Sequence, residues 1–469
     1  MITLDRASPI SLYEQLYREL KKAIISGELP PGKQLPSTRA LALQYDISRN
    51  TVNTAYSQLL VEGFITSRPG SGFYVEKIPL PVTLNQTTPS AIPEAQSPSC
   101  TYDFSYGSLD FNIYRNRAFR QAMSRAWNNM EKRNSIPYEP AAGSLHLREA
   151  ITHMLHSSRG VVATPDQIIL TSGHYYSLFL LTAFFSSSHY SLILEDPGYP
   201  AVRDIFQKEN FSIHAIPAGK TGIDTAPLHQ YTNALLYITP SHQYPLGSIL
   251  PIKKRMEILN WAVQTNSYII ENDYDSELHY RDMPIPSLQS IDSNHRVIYL
   301  GTFSKSISPD IRASYLVMPE NFPLHLKERF PRISASLPQL MEETLAYYLE
   351  SDAWEKHLNI IRSHFRKKHD AIIAFLKKHF GEKITIHGIG GGVHFVLELK
   401  SCLSAQQMIA ILNTESVQVY NPAMFWSHPE QAPKHMLLMG YGGIPEDELP
   451  DYLEALRKGL NKIFDIDEL

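Results

Sequence analysis

The chain has 469 residues, 43% apolar and 19% charged, which suits two or three globular domains with ample cores and is too long for one ordinary domain. No run of 18 apolar residues occurs and the first residues lack a basic-then-apolar pattern, so neither a membrane span nor a secretory signal is expected. The net charge of −4 hides an asymmetry: residues 1–78 carry nine Lys/Arg against seven Asp/Glu, a net of +2, which leaves −6 for the remainder.

In chain order, Tyr13–Ile25 reads as an amphipathic helix with Leu12, Leu16, Leu20 and Ile24 at four-residue spacing. Gly27 and Pro30-Pro31-Gly32 end it. Ser37 is placed to cap a short helix from Thr38, and Ser48 to cap a third over Arg49–Glu62. The apolar face of that third helix is Val52, Ala55, Tyr56, Leu59 and Leu60. Two short strands follow, Phe64–Ser67 and Gly72–Val75, joined by a turn that contains Arg68.

Helix, helix, tight turn, helix and hairpin describe a winged helix-turn-helix, whose recognition helix enters the major groove by its first turn. Here that turn is Arg49, Asn50, Thr51 and Asn53, and Arg and Asn are the side chains able to pair bidentately with guanine and adenine edges. Ser37 and Arg39 are expected on phosphate, with Arg68 on the wing. A helical dimerisation domain is the competing reading, but it leaves the polar cluster ahead of the apolar stripe without a reason. The run from Pro31-Gly-x-x-Leu35-Pro36-Ser37-x-Arg39 through Ser48-Arg49-x-Thr51-Val52 to Glu62-Gly63 resembles the GntR type of bacterial winged-helix regulator.

Residues 79–100 hold five prolines among Ser, Thr, Gln and Asn without periodicity, the composition of a tether. Cys100 and Cys402 are the two cysteines, so no disulfide framework is expected and a reducing cytoplasm fits.

From residue 101 onward helices alternate with short apolar strands, the α/β pattern. The strand Val297–Leu300 delivers Lys305 into a hydroxyl-rich turn with Thr302 and Ser304, and Arg312 follows seven residues after the lysine. This set suits a phosphorylated aldehyde: the amine forms a Schiff base, while the hydroxyls and guanidinium take the phosphate. Ile168–Gly173 leads through a glycine turn into a helix beginning His174-Tyr175, whose first N–H groups suit a phosphate. Tyr199, after Asp196-Pro-Gly, is placed to stack on a flat ring, and Asn272 and Tyr274 are read as pointing the same way from a strand over 268–276. Each segment alone is weak. A lone lysine in a polar turn is more often surface, and an aromatic after Pro-Gly is more often packing.

Together, in this order and with Lys305 33 residues after Asn272, they resemble fold-type I aminotransferases. A winged head on such a body, with Thr239-Pro-Ser-His-Gln-Tyr-Pro-Leu-Gly247 and Asp273-Tyr-Asp-Ser-Glu277, is similar to the MocR/GabR subfamily of GntR regulators, including its vitamin B6 branch. The resemblance implies pyridoxal 5′-phosphate (PLP) on Lys305, Tyr199 over the ring, Tyr274 on the ring hydroxyl and Arg312 on the phosphate. It implies operator DNA as partner and a homodimer, with heads exchanged in described relatives. It implies no metal.

Two departures from the enzymes stand out. By spacing, Asn272 occupies the place of the carboxylate that keeps the pyridine nitrogen protonated; Asp273 faces the opposite way on a regular strand, and a one-residue irregularity would put it at the nitrogen instead. The places where an arginine would hold a substrate carboxylate read Leu438, Gly443 and Ala201. Arg115, Arg117 and Arg120 are the candidates to substitute. The expected organisation is a winged-helix head (1–78), a linker (79–100) and an aminotransferase-like PLP body (101–469). The expected function is a PLP-responsive regulator with little transaminase turnover. Its competitors are a regulator with fixed PLP that senses a small amine or amino-acid effector, a working aminotransferase, and a body that only dimerises the head.

Overall fold

The computed structural model describes residues 4–79, 100–110, 116–133, 140–280, 285–320, 322 and 335–468. Most of the expected linker, residues 80–99, and Arg115 lie outside the described residues. The chain divides into two compact units, Met1–Gln96 and Ser97–Leu469.

The first unit has helices α1 (Leu12–Ile25), α2 (Thr38–Tyr45) and α3 (Arg49–Val61), then strands β1 (Ile65–Arg68) and β2 (Gly72–Val75). Ser37 Oγ accepts from Ala40 N (3.1 Å) and Ser48 Oγ from Thr51 N (3.1 Å), so both helices start at the predicted caps. Leu16, Leu20 and Ile24 of α1 pack with Val52, Ala55, Tyr56 and Leu59 of α3 and with Ile65 and Val75 of the hairpin. Two expectations shift. Leu60 is 39% exposed, because its neighbour Leu59 takes the inward position one helical step earlier. The first wing strand begins at Ile65 rather than Phe64, in register Ile65 opposite Val75 and Arg68 opposite Gly72.

The second unit is built on an eight-stranded sheet. In chain order its strands follow β3 (Tyr102–Asp103): β4 (Ile168–Thr171), β5 (Ser191–Asp196), β6 (Ile213–Gly219), β7 (Gly222–Ile223), β8 (Ala234–Ile238), β9 (Tyr268–Asp273), β10 (Val297–Thr302) and β11 (Ser314–Val317). The spatial order is β4-β11-β10-β9-β8-β5-β6-β7. From β10 to β6 neighbours run parallel, while β11 is antiparallel to both β10 and β4. Apart from half-buried Tyr268 at the start of β9, the central strands β8, β9 and β10 are buried throughout, the mark of a sheet covered on both faces. One face packs Ile270, Ile298 and Leu300 against the helices His174–Phe184 and Pro200–Lys208. The other packs Ile193, Leu236 and Ile269 against the helix Ile252–Gln264. A second layer, β12 (Ile384–His387), β13 (His394–Leu399) and β15 (Met436–Gly440), is covered by the helices Ala353–Phe380, Ala405–Asn413 and Leu449–Asp467, and the short β14 (Val417–Gln418) pairs in parallel with β3.

Because β4, β8, β9 and β10 share a direction, their C-terminal ends meet at one sheet edge, where open α/β sheets place ligands. The expected strand through Ser276 stops at Asp273, so Tyr274 leaves the sheet.

Candidate functional site

At that edge a cavity of about 260 Å³ is lined by residues from separate strand ends and loops: Thr302 at the end of β10 with Ser304, Lys305 and Arg312 in the segment that follows, Asn272 and Tyr274 at the end of β9, His174 and Tyr175 after β4, and Tyr199 after β5. Nine of the ten residues predicted for a cofactor therefore line one space, and the tenth, Gly173, abuts it. Gly173 has φ +92°, and a Cβ there would lie 2.8 Å from Arg312 Nη2. Both the backbone conformation and the guanidinium exclude a side chain. Arg312 itself takes the left-handed region at φ 51°. Thr302 Oγ1 donates to Ser304 Oγ (3.0 Å) and accepts from Ser304 N (3.2 Å), which ties the turn before the lysine.

Lys305 Nζ donates to Tyr106 O (3.5 Å) and lies 4.6 Å from the centre of the Tyr106 ring. Burial brings its pKa down to about 8, against a smaller upward pull from Asp275. The amine is thus closer to its nucleophilic form at neutral pH than an ordinary lysine. His174 is held neutral, its pKa lowered to about 4 by burial and by the Arg312 charge. Its Nε2 meets Tyr237 Oη at 3.3 Å.

The strand period separates Asn272 from Asp273. Asn272 shares the face of Ile270 and lines the cavity. Asp273 faces away, accepting from Arg159 Nε (2.7 Å) and Tyr299 Oη (2.5 Å) in a buried ion pair. Asn272 Oδ1 is buried without a hydrogen-bond partner among the described residues. A buried orphan of this kind at a cavity wall is a place for a ligand atom.

The three places read for a carboxylate anchor carry no cation. Leu438 is buried in an apolar cluster with Tyr244, Val396, Phe425 and Met436. A Cβ on Gly443 would sit 2.6 Å from Ser108 Cβ, so no side chain fits. Ala201 is half-buried in the first turn of its helix. Arg117 and Arg120 do not line this chain's cavity; they line a separate surface depression with Arg125 and Lys132.

Tyr106, Gly107, Tyr244 and Pro309 also line the cavity and were not read from the sequence. For Tyr244 the signal was present in the Thr239–Gly247 run. Tyr106 comes from a segment with no local motif, brought in by the chain's return across β15, where Gly440 N donates to Phe104 O (2.8 Å).

In the head, Arg39, Arg49, Asn50 and Asn53 are exposed, as a groove-reading surface requires. Thr51 is half-buried and its hydroxyl is bonded to Ser48 Oγ (2.8 Å), so part of its polarity serves the cap. Arg68 lies over the Tyr74 ring at 4.3 Å, which holds the guanidinium on the wing.

Residues 12–75 match the family of bacterial regulatory proteins of the gntR family, and residues 106–425 match aminotransferase class I and II. The chain is 34% identical to an HTH-type transcriptional regulator of Bacillus subtilis, YdeL, over 97% of this chain and 98% of that one. It is 30% identical to the pyridoxine biosynthesis transcriptional regulator PdxR of Corynebacterium glutamicum, over 96% of each. It is 27% identical to the probable rhizopine catabolism regulatory protein MocR of Rhizobium meliloti, over 97% of this chain and 95% of that one. Among solved structures, the multiple substrate aminotransferase of Thermococcus profundus superposes with a TM-score of 0.69 at 18% identity, covering 79% of this chain and 93% of that one.

Proposed function

The chain belongs to the MocR/GabR subfamily of GntR-type regulators, DNA-binding transcriptional regulators with an aminotransferase-like body, and from that premise we propose that PLP is its effector, captured on Lys305, with little or no transaminase turnover. PLP is the cofactor of this fold, and the residues at the sheet edge fit it. The glycine at 173 leaves space beside Arg312 where a side chain would stand, and Asn272 Oδ1 lacks a partner at the wall.

When bound, PLP supplies an aldehyde that condenses with an amine, releasing water, and a ring that can accept electrons. The chain's own residues do the rest. Lys305 presents an amine with a lowered pKa as the nucleophile. Arg312, Thr302, Ser304 and the N–H groups of His174 and Tyr175 take the phosphate. Tyr199 would cover a ring face, and Tyr274 would offer its hydroxyl to the ring hydroxyl. Asn272 would donate an Nδ2–H to a neutral ring nitrogen, and an amide brings no charge to hold a proton there, so the electron sink is weak.

The observation that carries the regulator reading is the closed carboxylate anchor. Leu438 lies in an apolar cluster and Gly443 has no room for a side chain, so an amino acid finds no bidentate partner at either place. The PdxR relative, named for pyridoxine biosynthesis, points the same way. The regulator would work as a homodimer on an operator in the cytoplasm. PLP shifts it between arrangements only by binding one better than the other.

The test is an absorbance titration of purified protein with PLP, with operator binding followed in the same samples, beside Lys305→Ala. The expected result is a 400–430 nm band in the wild type alone, with operator affinity changing in step. Operator affinity that ignores PLP but responds to an amine or amino acid would replace this reading with fixed PLP and a different effector. Rapid conversion to the pyridoxamine form with an amino acid would establish a working enzyme.

A further inference from the structure

The body carries one strongly basic stretch against its own trend. Residues 79–469 sum to −6, yet residues 117–133 hold Arg117, Arg120, Arg125, Lys132 and Arg133 against Glu131 alone, a net of +4, which leaves −10 for the rest. Most of the stretch is the helix Arg117–Glu131, which buries Ala122 and Ala126. Four of the five cations line one surface depression, with only amides and a serine beside them and no acidic group among the described residues.

Holding the helix together does not call for this face. Arg117 and Arg120 stand at its start, where the aligned N–H groups are already positive, and no acidic residue in the first turn offsets them. Among the described residues none of the four cations has a carboxylate partner. A solvated helix face ordinarily mixes both signs. Arg125 lies over the Tyr347 ring at 4.0 Å, and Lys132 Nζ donates to Asn129 Oδ1 (3.3 Å), so two of the charges are held in place at the depression.

A row of donors without an acidic neighbour suits a polyanion. With a rise of about 1.5 Å per residue, the strip from Arg117 to Lys132 is about 22 Å long. Each DNA strand presents a phosphate about every 3.4 Å of axis, so the strip matches roughly six phosphates of one strand. Guanidinium groups hold phosphate oxygens in pairs, and amides and hydroxyls add single bonds, all without reading a base.

We propose that the helix Arg117–Glu131 is a second DNA contact: a sequence-indifferent seat on the body for the phosphate backbone of operator DNA. It goes beyond the PLP reading and stands without it, since it rests only on the chain being a DNA-binding regulator.

The test is the salt dependence of operator binding by the full-length protein, followed by fluorescence anisotropy, beside Arg117→Gln/Arg120→Gln/Arg125→Gln. Each phosphate contact contributes roughly 0.9 to the slope of log affinity against log salt, so the triple variant is expected to flatten that slope by roughly 2–3 and to weaken binding roughly tenfold or more at low salt. Operator and scrambled DNA should weaken by the same factor, because backbone contacts carry no sequence. The exposed Lys367, Lys377 and Lys378, changed together to Gln, control for net charge and should leave the slope in place. If the triple variant does not fold, Arg117→Gln/Arg120→Gln carries the test, with the slope expected to flatten by roughly 2. That pair removes charge from where the helix disfavours it, so the fold is spared. A slope equal to that of the wild type, or one that the lysine control flattens as much, overturns the proposal. An arginine variant whose dimer dissociates in sedimentation would give this face to a second copy of the chain. One whose PLP band changes while operator binding does not would give it to a cofactor cavity. Either result overturns the DNA contact.

Discussion

Lys305 shows how one side chain carries two opposing demands. Its pKa near 8, against an ordinary 10.5, suits nucleophilic capture, yet it means that the folded protein without PLP holds a charge in a poorly solvated place at neutral pH. The unfolded chain binds the proton more tightly, so stability rises with pH between about 8 and 10.5, where the folded lysine has lost its proton and the unfolded one has not. Lys305→Met should therefore melt above the PLP-free wild type at pH 7, with the gap narrowing as pH climbs through that window. Thermal melts of the two PLP-free proteins at pH 7 and pH 10 check this. A gap that stays constant would mean that burial does not govern this amine.

At the scale of elements, helix α3 divides its labour along its length. The face made by Val52, Ala55, Tyr56 and Leu59 is fully buried and holds the head together, while Arg49, Asn50 and Asn53 in the first turns touch no core. Arg49→Ala and Asn50→Ala should each lose roughly 1–3 kcal/mol of discrimination for the operator and leave the melting of the head unchanged. Ser48→Ala should do the opposite first, costing the head about 1 kcal/mol of stability through the lost cap. Competition gel shifts against scrambled DNA, beside circular-dichroism melts, separate the two. Strand β9 divides its labour across its faces instead. Asn272 serves the cavity and Asp273 the ion pair with Arg159, and a slip of one residue would exchange them.

For the whole molecule, the division into Met1–Gln96 and Ser97–Leu469 implies two cooperative units with separate cores. PLP binds the folded body, so mass action should raise the body's transition and leave the head's in place. Calorimetry with and without PLP tests this; a single transition that moves as one would show that the units melt together.

Much of this was legible in the order of residues along the chain. Caps at Ser37 and Ser48 and the periodic stripes of α1 and α3 are local signals, so the head was legible to within a residue or two. Gly173, Tyr199, Tyr274 and Lys305 each lie just after a strand that announces itself by an apolar run, with Asn272 near the end of one, and the parallel order of those strands brings their ends together. Long-range packing decided the rest. Tyr106 reaches the site only because the chain recrosses β15, and no local pattern marks that return. The closure of position 443 depends on Ser108, more than three hundred residues away in the chain. The pairing of His242 with Asp275 joins loops after β8 and β9, whose meeting follows from sheet order and not from spacing. Caps and periodicity act over a turn or a strand, whereas the distance between two loops is fixed only when every strand between them has its place.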